Sequence, residues 1–162
     1  MIYNSKIGFG GGCHWCTEAV FQSLKGVLSV EQGFIASIGE NSSFSEAVIV
    51  SYNSTIIELK VLIEIHLHTH NSTSNHRFRK KYRSAVYYFE KRQKPILENY
   101  INELQVDFDN KLITQILQFQ RFESSRPEFI IYYLSNPKKP FCERYIHPKL
   151  QLLRKKYTYK IL

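Results

Sequence analysis

The chain has 162 residues, 43% hydrophobic and 14% aromatic, a size and apolar content that suit one domain with a closed core and exclude a disordered or low-complexity chain. Three cysteines are too few for a disulfide scaffold, and no stretch approaches the roughly 18 apolar residues of a spanning helix or reads as a signal peptide, so a cytoplasmic monomer without membrane association is expected. The net charge of +8 is uneven: residues 76–94 and 138–160 each hold eight basic residues against one acidic, the remainder nets minus six, and the two patches read as solvated faces rather than a nucleic-acid surface.

The first predicted strand, 5–9, runs into a turn that holds four of the seven glycines, Gly8, Gly10, Gly11 and Gly12. A helix is predicted over 13–24, with Trp15, Ala19, Val20, Phe21 and Leu24 at helical spacing and Gly26 as its stop. Strands follow over 27–38 and 44–52, joined by a turn at 39–42. The second strand alternates, placing Phe44, Glu46, Val48, Val50 and Tyr52 on one face. Leu59, Leu62 and Ile63 predict a helix over 55–68 with Ser54 or Thr55 as N-cap. Beyond a polar loop at 71–75 come a strand at 82–89, a helix at 91–104, a strand at 111–119, a short helix at 126–134 and a basic helix at 142–156. No repeat or linker interrupts the pattern, so residues 1–162 read as a single domain, a sheet with helices packed on it.

The segment Gly10-Gly11-Gly12-Cys13-His14-Trp15-Cys16 carries the clearest chemistry. Its glycines permit unusual backbone angles and close approach. Cys13 falls at the first turn of a helix, where free N–H groups and the helix dipole favour a thiolate and lower a cysteine pKa from about 8.5 to somewhere between roughly 3.5 and 7.5. Cys16 lies one helical turn away, close enough for the pair to cycle between dithiol and disulfide. A zinc site using both cysteines with His66, His68 or His70 is the metal alternative, but no second CxxC exists, and no metal is expected.

The segment 8–34, GFGGGCHWCTEAVFQSLKGVLSVEQGF, resembles the start of the A-type peptide-methionine sulfoxide reductases, with GCHWC standing for the family's GCFWG. Ser45-Glu46-Ala47-Val48 resembles the strand that carries the family's essential glutamate. Tyr82-Arg83-Ser84-Ala85-Val86-Tyr87-Tyr88 resembles its Tyr-Arg-Ser strand, and Asn136-Pro137 with the basic tail is similar to its C-terminal region. The resemblance implies an α+β fold, a two-layer α/β sandwich with a mixed sheet and a ferredoxin-like core. It also implies reduction of the S epimer of methionine sulfoxide, free or in oxidised proteins, without a bound cofactor and with thioredoxin or another dithiol as reductant. Cys13 would attack the sulfoxide sulfur, Glu46 would protonate the departing oxygen if burial raises its pKa, and Tyr82 would hydrogen-bond that oxygen. Trp15, His14 and Phe34 would receive the substrate. The sulfenic acid left on Cys13 would be resolved by Cys16, or alternatively by Cys142.

Three departures bear on substrate choice. His14 replaces phenylalanine, which makes the methyl pocket more polar; Phe34 replaces a tyrosine; and the basic segment 74–81 lacks the family's loop aspartate. Two other readings follow from the same residues: a general CxxC thiol–disulfide oxidoreductase resting on Cys13 and Cys16 alone, and a weakened family member that acts as a binding protein.

Overall fold

The computed structural model describes residues 4–127, 132–157 and 160–162. The alternating segments early in the chain make the centre of a sheet. Strand β1 (Asn4–Gly10) pairs antiparallel with β3 (Ser45–Asn53), from Asn4 opposite Asn53 to Gly10 opposite Ala47. β2 (Val27–Ala36) lies antiparallel on the far side of β3, with Phe34 opposite Glu46, and β4 (Ala85–Tyr88) flanks β1. Helix α1 (His14–Gln22) connects β1 to β2, and α2 (Leu59–Thr69) connects β3 to β4. The resulting βαββαβ unit, in the order β4-β1-β3-β2, is the expected ferredoxin-like core. β5 (Gln115–Gln118) adds parallel to β4 and β6 (Arg121–Ser124) antiparallel to β2, which completes a mixed six-stranded sheet in an α+β fold.

Strand alternation decides what each face carries. Ile7, Phe9, Val48, Val50 and Tyr52 point to the helix side, where they meet Ala19, Val20 and Phe21 of α1 and Leu62, Ile63 and Ile65 of α2. Phe9 and Phe21 stack with ring centroids 4.6 Å apart. Leu97 and Ile101 of α3 (Gln93–Leu104) and Leu150 and Leu153 of α5 (His147–Tyr157) extend this core. The opposite face holds a smaller one, made of Ile35, Ala47, Ile49, Ala85 and Tyr87 under Phe89, Leu117, Phe119 and Phe122.

That second core exists because the sheet curls. β5 and β6 occupy opposite edges, yet only Phe119 and Gln120 separate them in the chain. The three Cα–Cα steps from Gln118 to Arg121 reach at most about 11 Å, so the edges must meet. Gln120 N–H donates to Ala36 O at 3.1 Å and Ser37 Oγ to Gln118 O at 2.6 Å across the seam. Gly33 lets β6 come close: a Cβ there would lie 2.2 Å from Glu123 O.

Several predicted boundaries shift. β6 is a strand beyond those predicted, and Tyr82 to Ser84 form a loop before β4 rather than its first residues. α2 starts at Leu59 because Asn53 Oδ1 accepts from the Thr55 N–H and hydroxyl, an Asx turn that occupies Thr55 ahead of the helix. The last helix opens as a π turn, Cys142–Ile146. The helix predicted over 126–134 lies partly outside the described residues; α4 spans Tyr132–Ser135. No helix among the described residues is long and apolar enough to cross a membrane.

Candidate active site

The glycine turn is held from behind by side chains distant in sequence. Gly11 has φ +151°, and a Cβ on it would fall 2.4 Å from the His70 ring. His70 Nδ1–H donates to His66 O at 2.5 Å, and Nε2 accepts from Ser84 Oγ at 2.8 Å, which in turn meets Thr114 Oγ1 at 2.8 Å. Burial pushes the His70 pKa down to about 3, so the ring is neutral, which this donor–acceptor pattern requires. His66 stacks on it at 4.2 Å. The predicted one-face placement of His66 and His70 is thus present, while His68 turns away to Asp107, 3.5 Å from its carboxylate; the three do not converge on the cysteines. Gly11→Ala should cost about 2 kcal/mol or more and lower activity, measured by urea unfolding and turnover, because it adds both positive-φ strain and the His70 clash.

Arg79 belongs to the same support. Nη1 donates to Gly11 O at 2.8 Å and Tyr82 O at 2.9 Å, Nε to Ser74 O at 2.7 Å, and Nη2 to Asn71 O. The segment read as a basic patch therefore contributes one arginine that ties the glycine turn to Tyr82.

Cys13 is the N-cap residue of α1, and its carbonyl accepts from Cys16 N–H at 3.1 Å and Thr17 N–H at 3.2 Å. The thiols of Cys13 and Cys16 are hydrogen-bonded. That bond and burial push Cys13 up from the ordinary thiol range, and the same bond, with help from the Lys149 ammonium, pulls Cys16 down. On Cys13 the pairing thus opposes the lowering that the helix end alone would give. Lys149 is anchored on Thr69 O. Burial lowers its pKa, and the two sulfurs oppose that.

Glu46 comes up beneath the same helix end and is 5% exposed. Oε1 accepts from the His14 backbone N–H at 3.4 Å and lies 3.2 Å from His14 Nε2; Lys81 Nζ is 3.8 Å from Oε2. The Tyr82 hydroxyl, hydrogen-bonded to the Lys81 ammonium, and the Glu46 carboxylate hold Lys81 above its ordinary pKa.

These groups open onto one cavity of about 520 Å³, lined by six of the sequence-predicted residues: Cys13, His14, Trp15, Phe34, Glu46 and Tyr82. Cys16 lies buried next to Cys13. Cys142 does not line the cavity; its thiol is fully buried and donates to Asn136 O at 3.6 Å, and burial pushes its pKa up. Sequence reasoning missed the rest of the wall. Phe141 stands edge-on to Trp15 at 5.1 Å, Lys81 reaches Glu46, and residues 123–126 arrive with β6. Only Lys81, next to Tyr82, carried a local signal. The arrangement gathers two neighbouring thiols, a carboxyl group and apolar aromatic walls in one place.

A family model described as Peptide methionine sulfoxide reductase matches residues 5–161. The Peptide methionine sulfoxide reductase MsrA of Psychrobacter sp. (strain PRwf-1) is 34% identical over 166 residues, covering 91% of this chain and 93% of that relative. Among solved structures, Mxr1 from Saccharomyces cerevisiae in reduced form is similar in fold, with a TM-score of 0.74 and 21% identity over 86% of this chain and 89% of the other. Mxr1 in complex with Trx2 gives 0.64 and 21% over 78% and 84%. With the family's pattern running from the first strand to the end of the basic tail, the chain belongs to the peptide methionine sulfoxide reductase family.

Proposed function

We propose that the protein reduces the S epimer of methionine sulfoxide, free or in oxidised proteins, through a sulfenic acid on Cys13, and that thioredoxin or another dithiol restores it. The observation that carries this reading is that Cys13 and the Glu46 carboxyl share one helix end and one aromatic-walled cavity. Trp15, Phe34 and Phe141 give a substrate methyl group an apolar seat. Cys13 gives its thiol proton to solvent and reacts as the thiolate at the helix end, where free amide N–H groups and the helix dipole favour negative charge. Cys13 Sγ then bonds to the sulfoxide sulfur while Glu46 protonates the oxygen and Tyr82 hydrogen-bonds it. The sulfur–oxygen bond breaks, the hydroxyl passes to Cys13, and methionine leaves: its sulfur is reduced and Cys13 is oxidised to sulfenic acid. Cys16 attacks Cys13 Sγ, the two form a disulfide, and the hydroxyl departs as water with the Cys16 proton.

A fold neighbour solved in complex with Trx2 supports thioredoxin as the reductant. Cys16 is favoured over Cys142 as the resolving thiol because it lies one helical turn from Cys13 and interacts with its thiol, whereas Cys142 does not line the cavity. The test is turnover of each sulfoxide epimer with thioredoxin. Only the S epimer should be consumed. Cys16→Ser should yield about one methionine per enzyme and then stop, with a trappable sulfenic acid, whereas Cys142→Ser should stay within about threefold of wild type. The reverse pattern would assign resolution to Cys142, and equal use of both epimers would remove the stereochemical claim.

A further inference from the structure

His14, at the position where the resemblance puts phenylalanine, is more than a polar wall. It is 7% exposed, and its Nδ1 lies 3.0 Å from the carbonyl oxygen of Gly33. A carbonyl oxygen only accepts, so Nδ1 carries a proton and the tautomer is set. Nε2 then faces Glu46 Oε1 at 3.2 Å. Two bare acceptors at that separation in a buried place would repel each other. One proton must lie between them, on oxygen as a neutral acid or on nitrogen within an ion pair. The His14 backbone N–H also points at Oε1, so this residue fixes that oxygen twice, and the Phe34 ring stands edge-on to the imidazole at 5.2 Å.

We propose that His14 and Glu46 hold one transferable proton between them, with His14 as the positioning residue that keeps this proton available to the carboxyl group. This rests on the reading of Glu46 as the acid that protonates the sulfoxide oxygen. The charged and titratable groups around the pair are Lys81 beside Oε2, the Tyr82 hydroxyl, the sulfurs of Cys13 and Cys16 with the Lys149 ammonium behind them, and Glu123 and Arg126 on the cavity wall. When the Cys13–sulfur bond forms, the pair gives its single proton to the sulfoxide oxygen. It is left as a neutral imidazole protonated at Nδ1 and a carboxylate beside the Lys81 ammonium, and it regains a proton from water before the next turnover. A phenylalanine at this position would leave the carboxyl group to keep its proton alone.

The test is the single-turnover rate of methionine formation from the S epimer, without reductant, between about pH 6 and about pH 8.5, for wild type, His14→Phe, His14→Gln and Glu46→Gln. A shared proton has two acceptors to leave before the site is empty, so activity should persist further into alkali in wild type than in either His14 variant. The rate ratio of wild type to variant should grow by about tenfold across this range. Nitrogen NMR of wild type should find the His14 proton on Nδ1. A ratio that stays constant with pH, or a neutral ring protonated only at Nε2, would overturn the pair; the NMR result does not depend on any variant folding. Loss of activity in Glu46→Gln with parallel profiles for the His14 variants would overturn the pair alone. Full activity in Glu46→Gln would overturn the acid assignment and the pair with it.

Discussion

Cys13→Ser is expected to abolish methionine formation from the sulfoxide, a loss on the order of 10⁴-fold or more, because a serine hydroxyl is a far weaker nucleophile than a thiolate and cannot enter a disulfide. The side chain is only half-buried at a helix N-cap, so the variant should fold, and circular dichroism should match wild type. It also removes the sulfur–sulfur hydrogen bond that lowers Cys16. Cys16 should therefore react more slowly with an alkylating reagent at neutral pH than in the intact pair. Retained sulfoxide turnover would shift the nucleophile to Cys16.

Glu46→Gln should lower the rate of sulfoxide reduction by about 10² to 10⁴, the usual weight of a positioned general acid. The amide keeps the volume and can still accept the His14 backbone N–H, but it has no proton of comparable acidity to give the oxygen. Thiol–disulfide exchange between the cysteine pair and a small disulfide should stay within about threefold, since no oxygen leaves in that reaction. This contrast separates a sulfoxide reductase from a general CxxC oxidoreductase, for which both rates would be insensitive to residue 46.

Local pattern was enough for the centre of the fold. The alternation through Val48, Val50 and Tyr52 placed Glu46 on the helix-facing side of β3, under the end of α1, and the glycine run ahead of Cys13 marked the turn that His70 fills. What escaped depended on contacts between distant residues. β6 is four residues long, and its partner lies about 90 positions earlier; the trace it leaves in the sequence is Gly33, a glycine inside a strand where another backbone comes close. The influence on Cys16 escaped because the helix dipole is local to Cys13, whereas the Lys149 ammonium that lowers Cys16 arrives from the last helix. From its residue type alone, His14 only makes the pocket more polar. Only the register that sets Phe34 opposite Glu46, with Gly33 next along, shows that the ring bridges two strands of the sheet.

The curl of the sheet has a consequence for an enzyme proposed to meet damaged, loosened chains. Such clients present extended backbone in search of partners, and an open sheet edge would capture them along its length. Here both outer strands are only four residues long, the chain steps from one to the other in two residues, and the seam occupies Ala36 O and Gln118 O with Gln120 N–H and the Ser37 hydroxyl. A client would therefore be engaged by the sulfur-bearing side chain that enters the cavity and released once that side chain is repaired, without being recruited as a seventh strand.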